Sequence, residues 1–411
     1  MNLFIKNIGQ LVTVASHGRR VKTGGDMREL HVHTGASLLI QNGIITAIDG
    51  AQCVPPEDVD VIDAEGRTVL PGFVDSHTHT VFAGSRENEF AMRSEGKTYQ
   101  QIAESGGGIL STMNATRNAT KRELYKSAER RLNEMLRHGT TTMEIKSGYG
   151  LSPEAEMKIL EVIAELKRDH YATIVATFLA AHAVPPEYKE DTQGYVDRIC
   201  DYMLPYVAER KLATFIDVFC ETGYFDIKMT EQIILEAKRH GLIPKLHADQ
   251  LTAMGATELG ARHAAISVDH LEKTNDLGIT TLQNSETIAT VLPGCSLFLS
   301  HPYAPARTMI DAGIPVAIAT DFNPGSQMCS SMQMMLTLAC TQMHMTPEEA
   351  VTAATLHGAA ALGMTGEIGS IEIGKQADVV IYNVSDYRSI PYHYGTNHVR
   401  HVIKNGVLLD F

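Results

Sequence analysis

The chain has 411 residues and a formal net charge of −13 with histidine counted neutral, which excludes a nucleic-acid binder built on diffuse basic charge. An apolar fraction of 44% beside 20% charged residues excludes a largely disordered or fibrous chain, and the length accommodates two or three domains or one large α/β barrel with an appendage. Cys53, Cys200, Cys220, Cys295, Cys329 and Cys340 form no C-x-x-C pair and read as reduced thiols of a cytoplasmic protein, while no apolar run is long enough to suggest a membrane span and Asn2, Lys6 and Asn7 break any signal-like stretch.

In chain order, the first elements are β. Leu38 to Ile40 and Ile44 to Ile48 flank Asn42-Gly43, a pair suited to a type I′ hairpin turn because both central residues need positive φ. Val59 to Ile62 and Thr68 to Leu70 bracket Glu65-Gly66. The segment from Ser16 to His33, basic and glycine-rich, reads as a peripheral insertion or irregular loop. A long alternation follows, with strand candidates at Gly72 to Asp75, Thr140 to Ile145, Thr173 to Leu179, Phe215 to Phe219, Ile243 to Leu246, Ala265 to Asp269, Ile288 to Leu292 and Pro315 to Thr320. Helical patterns separate most of them: Lys121 to His138, Pro153 to His170 behind a Ser152 cap, Tyr195 to Arg210, Glu231 to His240 behind a Thr230 cap, Gln250 to Arg262, and Arg307 to Gly313. The chain ends in β-structure again, with Ala377 to Tyr382, then His398 to Lys404 and Val407 to Leu409 around Asn405-Gly406.

Eight β/α units predict an α/β fold with a closed (β/α)8 barrel over residues 70–365, and no glycine-rich dinucleotide or phosphate loop follows any strand to favour an open sheet. Neither terminal piece alone has enough strands to bury a face, so residues 1–69 and 366–411 are expected to pair into one small composite β-sandwich domain.

In such a barrel the chemistry collects after the strands, and here those positions are rich in histidine and carboxylate. His77 and His79 stand two apart on an extended strand, on one face and about 7 Å apart along the backbone, a separation two ligands of one ion can bridge. His247 after the fifth strand and Asp321 after the eighth complete a four-ligand set that leaves room for water. His270, after the sixth strand, is positioned to orient that water or stabilise a developing oxyanion. Glu221, after the fourth strand, is the residue that could support a second metal, and Lys146, after the second, reads as solvated or salt-bridged rather than a ligand.

The run Leu70-Pro71-Gly72-Phe73-Val74-Asp75-Ser76-His77-Thr78-His79 resembles the first-strand signature of the amidohydrolase superfamily, metal-dependent hydrolases on a distorted (β/α)8 barrel with a β-sandwich made from both termini. Within it, Phe82 to Glu87, Lys146 to Gly150, Leu246 to Gln250, Val268 to Glu272, Asp321 to Ser326 and Pro391 to Gly395 are similar to the branch that opens a cyclic amide in histidine degradation. The resemblance spans nearly the whole chain.

It implies one Zn2+ or Fe3+ per chain held by His77, His79, His247 and Asp321, a homodimer, and hydrolysis of the small-molecule substrate 4-imidazolone-5-propionate to N-formimidoyl-L-glutamate, with neither nucleic acid nor membrane as a partner. Asp321 would take the water proton and pass it to the leaving nitrogen, with His270 assisting. Arg86 would grip the propionate with its planar fork, and Tyr149, His182, Gln250, Asn323, Gly325 and Ser326 match positions that contact substrate or product. Gln250, a neutral amide, can bind but cannot act as a base. Two other readings are a sister cyclic amidohydrolase or aminohydrolase, which would need a pocket without the Arg86 and Asn323-to-Ser326 pairing, and a non-catalytic scaffold, which loss of a ligand would mark.

Overall fold

The structure, a computed structural model, describes residues 2–50, 57–97, 101 and 107–410; Cys53 lies outside them. The other five cysteines are unpaired, and no helix among the described residues is long and apolar enough to cross a membrane.

The two ends of the chain merge in one mixed sheet. Its strands are β1 (Asn2–Val12), β2 (Val32–Gln41), β3 (Ile44–Gly50), β4 (Asp60–Asp63) and β5 (Thr68–Pro71) from the N-terminal side, with β14 (Val379–Tyr382), β15 (Val399–Lys404) and β16 (Val407–Leu409) from the C-terminal side. They run in the order β16-β15-β14-β5-β1-β2-β3, with β4 also on β1. The join is the antiparallel β5–β14 pair, where Thr68 faces Tyr382 and Pro71 faces Val379. Alternate residues such as Leu3, Ile5, Leu38, Ile40, Val69, Val379, Ile381 and Ile403 share one apolar core. Both Asn-Gly pairs make positive-φ turns, and the turns abut: a Cβ on Gly43 would lie 2.8 Å from Asn405 O, and one on Gly406 2.8 Å from Gly43 Cα. Central β1 is absent from the expected runs because Asn7, at a positive φ of 54° near a register shift between Ile5 and Ile8, breaks its alternation.

The second sheet holds the eight parallel strands β6 (Phe73–Asp75), β7 (Thr140–Lys146), β8 (Thr173–Ala181), β9 (Phe215–Cys220), β10 (Ile243–Ala248), β11 (Ser267–His270), β12 (Ile288–Val291) and β13 (Val316–Ile318), in unbroken sequential order. All eight coincide with the expected runs. Closure of β13 on β6 happens just past the strands: Asp321 N donates to His77 O and His79 N to Phe322 O, both at 2.9 Å, while buried Asp75 accepts from Thr320 N at 3.0 Å and Thr320 Oγ1 at 2.6 Å. Only Gly72 separates the sheets, and a Cβ there would lie 2.2 Å from Thr141 Oγ1.

The helices depart from expectation in two informative places. The helix expected from Glu231 begins at Ile227 under an Asp226 cap, leaving Thr230 buried in its interior. The helix expected from Gln250 begins only at Ala256, so Gln250 belongs to a loop over the barrel. The Ser16-to-His33 segment packs against the body: Lys22 N donates to His357 Nε2 at 3.1 Å, Arg28 pairs with Glu349 at 3.0 Å, and the backbone N–H groups of Ser16 and His17 reach Glu372.

A buried ion pair ties the terminal sheet to the barrel. Lys404 Nζ contacts Asp378 Oδ2 at 2.6 Å and Thr173 Oγ1 at 2.8 Å, while Asp378 also accepts from Asn405 N. Removing one partner strands the other charge, so Lys404→Met should cost about 3 kcal/mol in denaturant unfolding, with part recovered on adding Asp378→Asn. A change below about 0.5 kcal/mol would show that the pair carries no such role.

Candidate active site at the carboxyl ends of the barrel strands

Barrel closure sets the first contacts. The same backbone bonds that join β6 to β13 bring Asp321 beside the H-x-H pair, with Asp321 Oδ1 3.5 Å from both His77 Nε2 and His79 Nε2. The rings of His77 and His247 have centroids 4.5 Å apart, and donor atoms of His77, His79 and His247 lie within 4.8 Å of one another, as do those of His77, His270 and Asp321. All five side chains are buried. Asp321 and His270 hold positive φ values of 54° and 86°, a backbone conformation that costs energy in a non-glycine residue.

Each inner histidine is backed by a carboxylate. His77 Nδ1 donates to Asp269 Oδ2 at 2.7 Å, and His247 Nδ1 lies 3.0 Å from Asp217 Oδ2. The hydrogen bond fixes the His77 tautomer and turns its Nε2 toward the shared centre, where it has no hydrogen-bond partner, while Asp217 stands close behind His247. Burial holds His77 and His79 far below the ordinary imidazole pKa, so both are neutral donors. Neutral imidazoles with orphaned nitrogens around a carboxylate fit a Zn2+ or Fe ion, and among the described residues no hydrogen-bond partner satisfies His77 Nε2 or His79 Nδ1.

Beneath them lies a charge cluster that the sequence reading does not contain. Lys146 Nζ contacts Glu144 Oε1 at 2.9 Å and Asp217 Oδ2 at 2.8 Å, with Asp269 Oδ2 at 3.6 Å; Lys245 Nζ lies 3.2 Å from Glu144 Oε2 and 3.7 Å from Asp269 Oδ2. All five side chains are fully buried. Burial opposes the charge on Lys146, but Asp217 and Glu144 outweigh it and raise its pKa; burial likewise opposes the Asp217 carboxylate, which His247 and Lys146 hold well below its ordinary range. The two lysines thereby tether the carboxylates that orient His77 and His247.

Above the metal-ligand candidates a cavity of about 590 Å3 opens, and it gathers Arg86, Tyr149, His182, Gln250, Asn323, Gly325 and Ser326. His182 stacks on His79 with centroids 4.9 Å apart and, through burial, has its pKa pushed down to about 3. Burial raises the Tyr149 pKa, which keeps the phenol protonated. The Tyr149 loop is held by Glu156, which accepts from Gly148, Gly150 and Leu151 N at 2.7–3.0 Å.

Five expected residues sit in unexpected company. Asn323 spends its amide on its own loop, donating to Asp321 O and Ser326 Oγ at 2.7 Å and accepting from Gly325 and Ser326 N. Asp321 Oδ2 is not free, since Ser326 Oγ donates to it at 3.3 Å. Arg86 has its Nε and Nη2 on Glu89 Oε2 at 2.9 and 2.7 Å, so that edge of its fork is occupied. Glu221, considered for a second metal, instead accepts from Thr222, Leu251 and Thr252 N and from Thr252 Oγ1, clamping the Gln250 loop. His270, expected outside the ligand set, lies close enough to contribute a donor, with Glu272 Oε1 3.4 Å behind it; burial opposes its charge, but Glu272 raises its pKa.

The sequence profile of the amidohydrolase family matches residues 68–409. The chain is 44% identical over 411 residues to an imidazolonepropionase of Christiangramia forsetii, covering 100% of each, and 46% identical over 415 residues to one of Alkaliphilus metalliredigens, covering 100% of this chain and 98% of that one. A mutant atrazine chlorohydrolase of Arthrobacter aurescens, complexed with zinc and atraton, superposes with a TM-score of 0.74 at 18% identity, over 99% of this chain and 95% of that one, a likeness of fold.

If the buried lysines act through the histidines, Lys146→Met should weaken Zn2+ binding by about 10- to 100-fold in a chelator competition, and Asp217→Asn should do the same. Unchanged affinity in a variant that still melts cooperatively would remove the cluster from the metal site.

Proposed function

The chain belongs to the amidohydrolase family and, within it, to the imidazolonepropionases, and from that premise we propose how its residues divide the hydrolysis of 4-imidazolone-5-propionate to N-formimidoyl-L-glutamate. The observation that most supports the division is the convergence of His77, His79 and Asp321 at the barrel's closure, beside His247, with an orphaned imidazole nitrogen at its centre.

His77, His79, His247 and Asp321 would hold one Zn2+ or Fe3+ per chain. When bound, such an ion supplies Lewis acidity and water acidic enough to ionise near neutral pH. The attack forms a bond from the water oxygen to the ring carbonyl carbon and breaks that carbon's bond to the ring nitrogen. Asp321 takes the water proton, an assignment favoured by burial, which raises its pKa, and returns it to the departing nitrogen. Ser326, donating to Asp321 Oδ2, keeps the carboxylate turned for that transfer. His270, braced by Glu272, donates toward the carbonyl oxygen as negative charge develops there.

Substrate orientation falls to the cavity wall. Arg86 faces the propionate with its remaining Nη1 edge, and Gly325 makes room for it, since a Cβ at that glycine would lie 2.3 Å from Arg86 Nη1. Tyr149 and neutral His182 contact ring or tail, and Gln250 hydrogen-bonds a ring nitrogen without acting as a base. Asn323 contributes by rigidifying the 321–326 loop and presenting its backbone. The family resemblance also carries a homodimeric assembly and a cytoplasmic location as part of this proposal.

Purified protein given freshly generated imidazolonepropionate should yield N-formimidoyl-L-glutamate by mass spectrometry. Asp321→Asn keeps an oxygen for the metal but loses the base, so in metal-replete protein kcat should fall by about 100-fold or more. A metal-replete Asp321→Asn enzyme with most of its kcat would refute the proton-transfer role.

A further inference from the structure

One end of the cavity contains more charge than the proposed reaction uses. Arg86 and Arg93 both line it, with Glu89 between them in the helix Glu87–Ser94. The Arg86 and Glu89 side chains are only 12% and 9% exposed, and Glu89 spends one oxygen on Arg86 and the other on Gly108 N at 2.8 Å. Arg93 reaches the same place from one turn further along: its Nη2 donates to Gly325 O at 3.0 Å, and its guanidinium lies 5.0 Å over the Phe298 ring. Gly325 is therefore flanked by Arg93 on its carbonyl and by Arg86 Nη1 on its Cα.

The charges do not balance. Among the described residues at this end of the cavity, two partly desolvated guanidinium groups share one carboxylate; Lys97 also borders the cavity but is 44% exposed and lies 3.5 Å from Glu95. Burial lowers the pKa of Arg93 and the charge of Arg86 lowers it further, with Glu89 opposing them. A single carboxylate entering between them would neutralise the surplus, whereas a neutral tail would leave it and a dianion would overshoot.

We infer that Arg93 is a second binding arm for the substrate's carboxylate, and that Glu89 both locks the Arg86 fork and sets this subsite to accept one negative charge. The inference rests on the proposed placement of the propionate against Arg86 and adds two specificity-determining residues to it. Because Glu89 holds the Nε edge of Arg86, Arg86 alone offers the tail only part of its fork, and Arg93 supplies the missing donors from the other side of Gly325.

The test is calorimetric binding to metal-loaded protein of two probes that share a ring, imidazole-4-propionate and 4-methylimidazole, so that the tail-less probe reports an intact ring site in every variant. Arg93→Gln should weaken the propionate by about 30-fold or more while the tail-less ring changes by less than about threefold, with Arg93→Lys in between. Glu89→Gln should shift preference toward a two-carboxylate tail, tested with imidazolylsuccinate, by about tenfold relative to the propionate. If Arg86→Gln abolishes the tail preference and Arg93→Gln does not, the second arm is wrong while the propionate placement stands. If neither arginine variant alters the ratio of the two probes, the placement itself falls and the inference with it. An unchanged ratio of two-carboxylate to one-carboxylate binding in Glu89→Gln would refute the charge-setting role.

Discussion

The arrangement on which the site depends is the buried cluster of Lys146 and Lys245 with Glu144, Asp217 and Asp269. No member could be left alone in that interior, because an uncompensated buried charge costs several kcal/mol. They arrive on separate strands: Glu144 and Lys146 on β7, Asp217 on β9, Lys245 on β10 and Asp269 on β11. Only the assembled barrel brings them together, and the same assembly aims the His77 and His247 rings. Folding and preparation of the proposed metal site are therefore one event. The closure of β13 on β6 extends the logic to the remaining ligand candidates, since the backbone bonds that seal the barrel are those that set Asp321 beside His77 and His79.

Around this rigid floor, carboxylates and amides in the loops act on backbone. Glu156 gathers the N–H groups around Tyr149, Glu221 clamps the Gln250 loop, and Asn323 closes the 321–326 turn. Each is a polar side chain near the cavity, so each resembles a substrate contact until its partners are seen. The cavity wall is thus held by carboxylate and amide hydrogen bonds to main chain, and His182 joins it through its Nδ1 contact with Gly148 O at 3.0 Å.

Much of this was legible in the sequence, and unevenly so. The barrel strands announce themselves because both faces are buried, giving continuous apolar runs followed by His or Asp at the sites of chemistry. His77, His79, His247 and Asp321 stood out as ligand candidates because ligand chemistry restricts residue type, and the structure brings them together. The lysine–carboxylate cluster was not: Lys146 and Lys245 look like ordinary surface residues until the register of the sheet places them inside. Nor was the engagement of Arg86 by Glu89, a spacing of three that on most helices is a solvated pair. Thr230 misled as a cap because its hydroxyl suits the role equally well, and Asp226, four residues earlier, had the geometry. The Gln250 segment carries helical periodicity, yet Glu221 captures its backbone N–H groups first.

The central claim is that one ion sits where the carboxylate-backed histidines converge. Anomalous diffraction at the absorption edge of the bound metal, on crystals of the protein as purified, addresses it most directly. The account predicts a single peak per chain bounded by His77 Nε2, His79, His247 and Asp321. Two strong peaks per chain, or one peak centred instead on His270, Glu272 and Cys295, would contradict it.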